Sequence, residues 1–173
     1  MKANYRESKQ SSVTSAVQPF DFQRAKSPEQ IAAIRELFLE YAQSLGFSLC
    51  FQSFDQELAG LPGDYAPPDG MLLLATDNGQ PAGCVALHTL APDICEMKRL
   101  YVRQQFRGKG LGRELAEKII AEARQLGYKK LRLDTVEPVM KTAVAMYRTL
   151  GFREIPPYCQ NPIEGALYME LQL

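Results

Sequence analysis

Leu100-Tyr101-Val102-Arg103-Gln104-Gln105-Phe106-Arg107-Gly108-Lys109-Gly110-Leu111-Gly112-Arg113 joins an apolar, strand-like segment to a glycine-rich turn and then to a helix. Leu111, Leu115, Ile119 and Ala123 recur at four-residue spacing, Leu126 closes the stripe and Gly127 is a stop, so the turn sits at a helix N-terminus. Glycines let the backbone approach a ligand closely, and the first N–H groups of a helix have no acceptor inside it. Together they build an anion site, for which a phosphate is the natural occupant. Two better-known phosphate loops do not match. The P-loop needs Lys followed by Ser or Thr after its last glycine, and Gly110 is followed by Leu111; the dinucleotide fingerprint needs a small third residue where Arg113 stands. What remains is Gln105-x-x-Gly108-x-Gly110, against which an ordinary helix-capping turn is the competing reading.

Downstream, Ala143-Val144-Ala145-Met146-Tyr147-Arg148-Thr149-Leu150-Gly151-Phe152 reads as a second helix. Val139, Ala143, Met146 and Leu150 form its stripe, Gly151 suits the left-handed C-terminal position, and Phe152 opens the next strand. The glycine turn resembles the (Gln/Arg)-x-x-Gly-x-(Gly/Ala) signature of the GNAT superfamily of N-acetyltransferases, and Tyr147 followed by Gly151-Phe152 resembles that family's closing motif. The resemblance spans roughly residues 20 to 173, with the sharp motifs confined to 96–113 and 143–152.

The resemblance implies acetyl-coenzyme A as co-substrate, with its pyrophosphate on the loop Gln105, Arg107, Gly108, Lys109, Gly110, Leu111, Gly112 and Arg113. It implies that the strand backbone at Leu100, Tyr101 and Val102 meets the pantetheine and thioester, where an N–H can stabilise an oxyanion. It implies that Tyr147 protonates the departing thiolate; a Tyr buried for its ring alone is the other reading. Many relatives carry Asn seven residues before this tyrosine, and here that position is Met140, so that coenzyme contact is expected to be missing.

Glu96 precedes the loop on the strand candidate Cys95-Glu96-Met97-Lys98-Arg99-Leu100-Tyr101-Val102, at a spacing where some family members place a general base. An ammonium must lose a proton before it attacks a thioester, and partial burial is expected to raise a carboxylate toward the useful range. The alternative is a Glu96 paired with Lys98 or Arg99 on exposed strand.

The 173 residues fit one domain, and 46% apolar content is enough for one sizeable core. Twenty basic and twenty acidic residues cancel, so no general pull toward nucleic acid or membrane is expected. Locally, Arg99, Arg103, Arg107, Lys109, Arg113 and Lys118 crowd the turn, a field that favours a polyphosphate ligand, although Arg113 and Lys118 also read as solvated helix face. Cys50, Cys84, Cys95 and Cys159 are scattered and His88 is the single histidine, so no metal is expected, and each cysteine is expected to pack as a small hydrophobe. Without an apolar signal core or a stretch of transmembrane length, the chain is expected in the cytoplasm with reduced thiols. Residues 1–17 are polar and aperiodic and read as a disordered tail ahead of a single domain over 18–173.

The expected order opens with a short strand from Phe20, a helix capped by Ser27-Pro28-Glu29-Gln30 and ended by Gly46, and a short helix over 54–59. Strands over 71–76 and 81–90 follow, separated by Asp77-Asn78-Gly79-Gln80, and then a strand over 94–102. Helix 109–126, strand 130–136, helix 139–150 and strands near 152–156 and 166–172 complete it. This predicts an α/β fold, more narrowly α+β, with a mixed, mostly antiparallel sheet of about seven strands flanked by about four helices, the order known for the GNAT fold.

The implied reaction is direct transfer of an acetyl group to a primary amine in a ternary complex. The resemblance places the acceptor between 47–68 and 156–165, where Phe47, Phe51, Tyr65 and Tyr158 offer aromatic walls and Asn161 and Glu164 polar ends. A small, partly apolar amine fits this mixture better than a protein tail. A longer acyl donor and a non-catalytic acyl-coenzyme A sensor remain as alternatives, and a homodimer, common for the fold, has no deciding signature.

Overall fold

The computed structural model describes residues 20–173. The tail expected over residues 1–17 lies outside the described residues. Seven strands form one sheet: β1 (Asp21–Arg24), β2 (Met71–Asp77), β3 (Gln80–Ala91), β4 (Ile94–Val102), β5 (Lys130–Val136), β6 (Arg153–Glu154) and β7 (Ala166–Gln172), in spatial order β1-β2-β3-β4-β5-β7-β6. Four helices cover it: α1 (Pro28–Ser44), α2 (Phe54–Gly60), α3 (Leu111–Gln125) and α4 (Lys141–Thr149). Among the described residues only β4 and β5 pair in parallel.

Side-chain alternation along the strands divides the core in two. Leu73 and Ala75 of β2, Val85 and Leu87 of β3, and Leu131 and Leu133 of β5 pack under Leu111, Leu115 and Ile119 of α3. Leu72 and Leu74 of β2 and Cys84 and Ala86 of β3 point the other way, onto Ile34, Leu37 and Phe38 of α1 and Phe54 of α2. Of the cysteines, Cys84 and Cys95 are buried as expected, whereas Cys50 and Cys159 are exposed and do not pack as hydrophobes.

The local signals act where the chemistry requires. Ser27 and Gln30 form a reciprocal capping box with Pro28 in the first turn, and Asn78 and Gly79, both left-handed, make the tight β2–β3 turn. The largest boundary differences from expectation fall in three elements. α3 begins at Leu111 rather than 109, because Gly110 has φ +86°, outside helical space. α4 begins at Lys141, with Val139 half exposed before it. β6 is only two residues long: Phe152 before it packs in the core against Tyr147, and Pro156 and Pro157, which have no N–H for a ladder, follow Ile155. Among the described residues no helix is long and apolar enough to cross a membrane.

Candidate active site

β4 and β5 pair only over Ile94–Glu96 and Lys130–Arg132. Beyond that point β5 keeps β7 as its partner as far as Val136, while β4 stays with β3. The two parallel strands therefore diverge, leaving the β5-facing backbone edge of β4 without a strand partner from Met97 onward.

A bulge aims the side chains of this opened edge. Cys84 pairs with Tyr101 and Ala86 with Lys98, so Val85 alone faces both Arg99 and Leu100. Arg99 takes φ +58°, a rare conformation for a non-glycine residue. The extra residue changes the alternation: Leu100 and Val102 join Met97 on the α3 face, and Arg99 and Tyr101 point to the α1–α2 face.

The wedge opens into a cavity of about 750 Å³ bounded by β4, β5, the glycine turn, the starts of α3 and α4, and the α1–α2 connection. Leu100, Tyr101, Val102, Arg107, Gly108, Gly110, Leu111, Gly112, Arg113 and Tyr147 line it; Gln105, Lys109 and Glu96 do not. Gly108 and Gly110 have φ of +76° and +86°, conformations that a side chain would strain. Gly110 is the N-cap of α3 and offers no side-chain cap, and the first backbone bond of the helix is the Glu114 N–H to the Gly110 carbonyl, 3.1 Å. Leu111, Gly112 and Arg113, whose N–H groups precede that bond and have no acceptor within the helix, line the cavity.

The basic cluster expected around the turn is smaller than the sequence count. Arg99 is buried and fully engaged, its Nε 2.9 Å from Glu57 Oε1, its Nη2 on Glu57 Oε2, and its Nη1 2.9 Å from Gln52 Oε1. Arg103 is held by Glu40, Glu36 and the Pro81 carbonyl, and the Lys118 ammonium lies over the Phe22 ring. Arg107, Lys109 and Arg113 remain beside the turn, and Arg113 is itself bonded to Glu117 and Thr149.

Tyr147, on the inner face of α4, is buried against Phe152. Its hydroxyl makes no recorded hydrogen bond among the described residues, and burial pushes its pKa well above the ordinary phenol value. Met140 caps the start of α4 on the cavity wall, with Thr135 Oγ1 3.2 Å from its sulfur.

Glu96 is neither on an exposed strand nor raised in pKa. It is 4% exposed, with Oε1 accepting from the Tyr158 hydroxyl at 2.7 Å, and Oε2 2.7 Å from His88 Nε2 and 3.7 Å from Lys98 Nζ. Burial works to raise its carboxyl, and the His88 bond, the Lys98 charge and the Tyr158 bond outweigh it, holding the pKa below the ordinary value.

Sequence reading overlooked a second carboxylate. Asp134 of β5 lines the cavity, and its Oδ2 accepts from Gln52 Nε2 (3.2 Å) and Asn161 Nδ2 (2.9 Å). The available signal was strand alternation, which sets Asp134 opposite the buried Leu131 and Leu133; nothing in the sequence announced its partner Gln52.

A strand splayed from its parallel neighbour, an uncapped glycine turn at a helix start and a buried tyrosine on one cavity agree with what the chain is similar to. Residues 31–152 match the model of the Acetyltransferase (GNAT) family. The chain belongs to the GNAT family. It is an acyltransferase, and its similarity extends to an uncharacterized N-acetyltransferase of Schizosaccharomyces pombe, 42% identical over 86% of this chain and 91% of that protein. Among solved structures, a GNAT acetyltransferase from Staphylococcus aureus superposes with a TM-score of 0.73 over 89% of this chain and 99% of that one, at 17% identity. The PaiA N-acetyltransferase of Thermoplasma acidophilum, solved in complex with coenzyme A, superposes with a TM-score of 0.68 over 90% of this chain and 100% of that one, at 16% identity. These likenesses at low identity are likenesses of fold.

Proposed function

We propose that this GNAT acyltransferase moves the acetyl group of acetyl-coenzyme A to the primary amine of a small molecule by direct attack in a ternary complex, using a single catalytic domain over 18–173. The observation that carries the reading is the continuity of the glycine turn with the β4–β5 wedge: one cavity is lined by both, with room for a phosphate group at one end and a thioester at the other.

In this reading the N–H groups at the start of α3, with Arg107 and Arg113, hold the pyrophosphate. The unpartnered edge of β4 at Leu100–Val102 lies along the pantetheine, and an N–H there steadies the oxyanion of the tetrahedral intermediate. The amine nitrogen bonds to the carbonyl carbon, the carbon–sulfur bond breaks, and Tyr147 gives its proton to the sulfur. An unionised Tyr147 is what this step needs, and burial keeps it in that form. Neither Glu96 nor Tyr158, whose hydroxyl donates to it, has surface on the cavity, so in this reading Glu96 acts on the amine's proton through an intervening water.

Thermal denaturation with acetyl-coenzyme A, coenzyme A, succinyl-coenzyme A and ATP side by side tests the reading, since a ligand bound only by the native state raises its melting point. Stabilisation selective for acetyl-coenzyme A is the expected result; no shift with any acyl-coenzyme A at saturation removes the assignment.

A further inference from the structure

The acceptor end of the cavity carries a charge asymmetry that names its substrate class. Gln52 and Asn161 are both locked in orientation: the Gln52 oxygen accepts from Arg99 Nη1 at 2.9 Å, and the Asn161 oxygen accepts from the Ile163 N–H at 3.1 Å. Each amide can then present only its NH₂ group to Asp134. Both donate to the same oxygen, Oδ2, leaving Oδ1 without a recorded partner among the described residues. An anionic oxygen left open on a cavity wall calls for a cation.

The walls beside it are apolar: Leu45, Phe47, Leu49 and Phe51 from the α1–α2 connection line the same cavity. A carboxylate one carbon from the anchored nitrogen would be repelled by the Asp134 charge itself. The guanidinium behind Gln52 cannot offset that repulsion, since all three Arg99 nitrogens are engaged by Glu57 and Gln52; Lys98, 3.7 Å from Glu96, and Lys141 also line the cavity.

From this geometry we infer that Asp134 Oδ1 anchors the ammonium of the acceptor, and that the acceptor is an arylalkyl- or alkylamine without a carboxylate beside the nitrogen. Asp134 is thus a specificity-determining residue, and the Arg99–Glu57 pair acts behind it by fixing Gln52. The inference rests on the acetyl-transfer reading and narrows it.

Thiol release from acetyl-coenzyme A is measured with the full chain and two acceptors matched in shape, phenethylamine and phenylalanine. Phenethylamine is expected to exceed phenylalanine in kcat/KM by about tenfold or more, the scale of one charge-assisted hydrogen bond. Asp134→Asn is expected to raise the KM for phenethylamine by about tenfold or more while its affinity for coenzyme A stays near the wild-type value. A general loss of structure would move both readouts together. Equal use of the two matched acceptors by the wild type, a preference for phenylalanine, or an unchanged KM in Asp134→Asn overturns the inference. The wild-type comparison stands even where the variant does not fold. Binding of acetyl-coenzyme A with no turnover of either amine overturns this inference alone, whereas failure to bind acetyl-coenzyme A overturns the acetyl-transfer reading beneath it.

Discussion

The two ends of the cavity are built on opposite plans. The end proposed for the coenzyme is made mostly of backbone: the opened edge of β4, two left-handed glycines and the first N–H groups of α3, all within residues 97–113. The end proposed for the acceptor is made of side chains from separate elements, with Glu57 from α2, Gln52 before it, Arg99 from β4, Asp134 from β5 and Asn161 from the connection to β7. The first plan tolerates changes of side chain and forbids changes of backbone; the second does the reverse. One surface can thus retain a common donor while its acceptor changes.

That contrast can be broken at several places. Glu57→Ala is expected to have the largest effect, because it leaves the 4%-exposed Arg99 without its bidentate partner. Breaking a buried pair from one side costs about 3–5 kcal/mol, so urea unfolding should show a loss of that order; a midpoint near the wild type would mean Arg99 finds another partner. Tyr147→Phe is expected to lower kcat by about 100-fold with coenzyme affinity intact, as for removal of a general acid, and unchanged turnover would take Tyr147 out of the reaction.

Gly110→Val probes the backbone plan. A Cβ there meets only Glu114 Oε1 at 3.9 Å, so the cost comes from φ +86° rather than from a clash. A left-handed residue with a side chain costs about 1–2 kcal/mol, or, if the turn shifts to relieve it, about tenfold in coenzyme affinity by calorimetry. Normal affinity with normal stability would sink the loop assignment.

The smallest expected effect is acid sensitivity. The Glu57 and Glu96 carboxyls lie below their ordinary value of 4.5 in the folded protein; burial opposes this, and the bonds from Arg99 and from His88 respectively prevail. Groups depressed on folding stabilise the native state fully above the unfolded value and lose that contribution as pH falls through the folded one. Stability should therefore hold through the neutral range and decline below about pH 4.5; a decline that begins above pH 6 would point to other groups.

How much was legible in advance follows from the same contrast. Helix stripes, capping box and the β2–β3 turn are local signals, and the elements they mark formed with boundary shifts of one or two residues. The glycine turn was legible as a structure because it is carried by consecutive backbone positions ahead of α3. Glu96 was correctly seen as a carboxylate on β4 and misread in its surroundings, since its partners His88 and Tyr158 approach from β3 and from the connection to β7. Arg99 and Arg103 counted as loop cations in sequence, and both are consumed by glutamates from α1 and α2. Gly83 passed unnoticed, although a Cβ there would lie 2.6 Å from the Tyr101 carbonyl and 3.2 Å from Leu115 Cδ1, where α3 closes on the sheet.

By itself, then, the sequence determined the order and type of the elements and the position of the glycine turn at the start of α3, because periodicity, capping and glycine conformation act over a few neighbouring residues. Tertiary structure alone decided which charges remain free. The direction of Arg99 depends on a bulge set by pairing with β3, and the open oxygen of Asp134 on two amides oriented by groups distant in sequence. Desolvation and hydrogen bonding depend on what surrounds a group in space, and that is settled only when the sheet and its helices have closed around it.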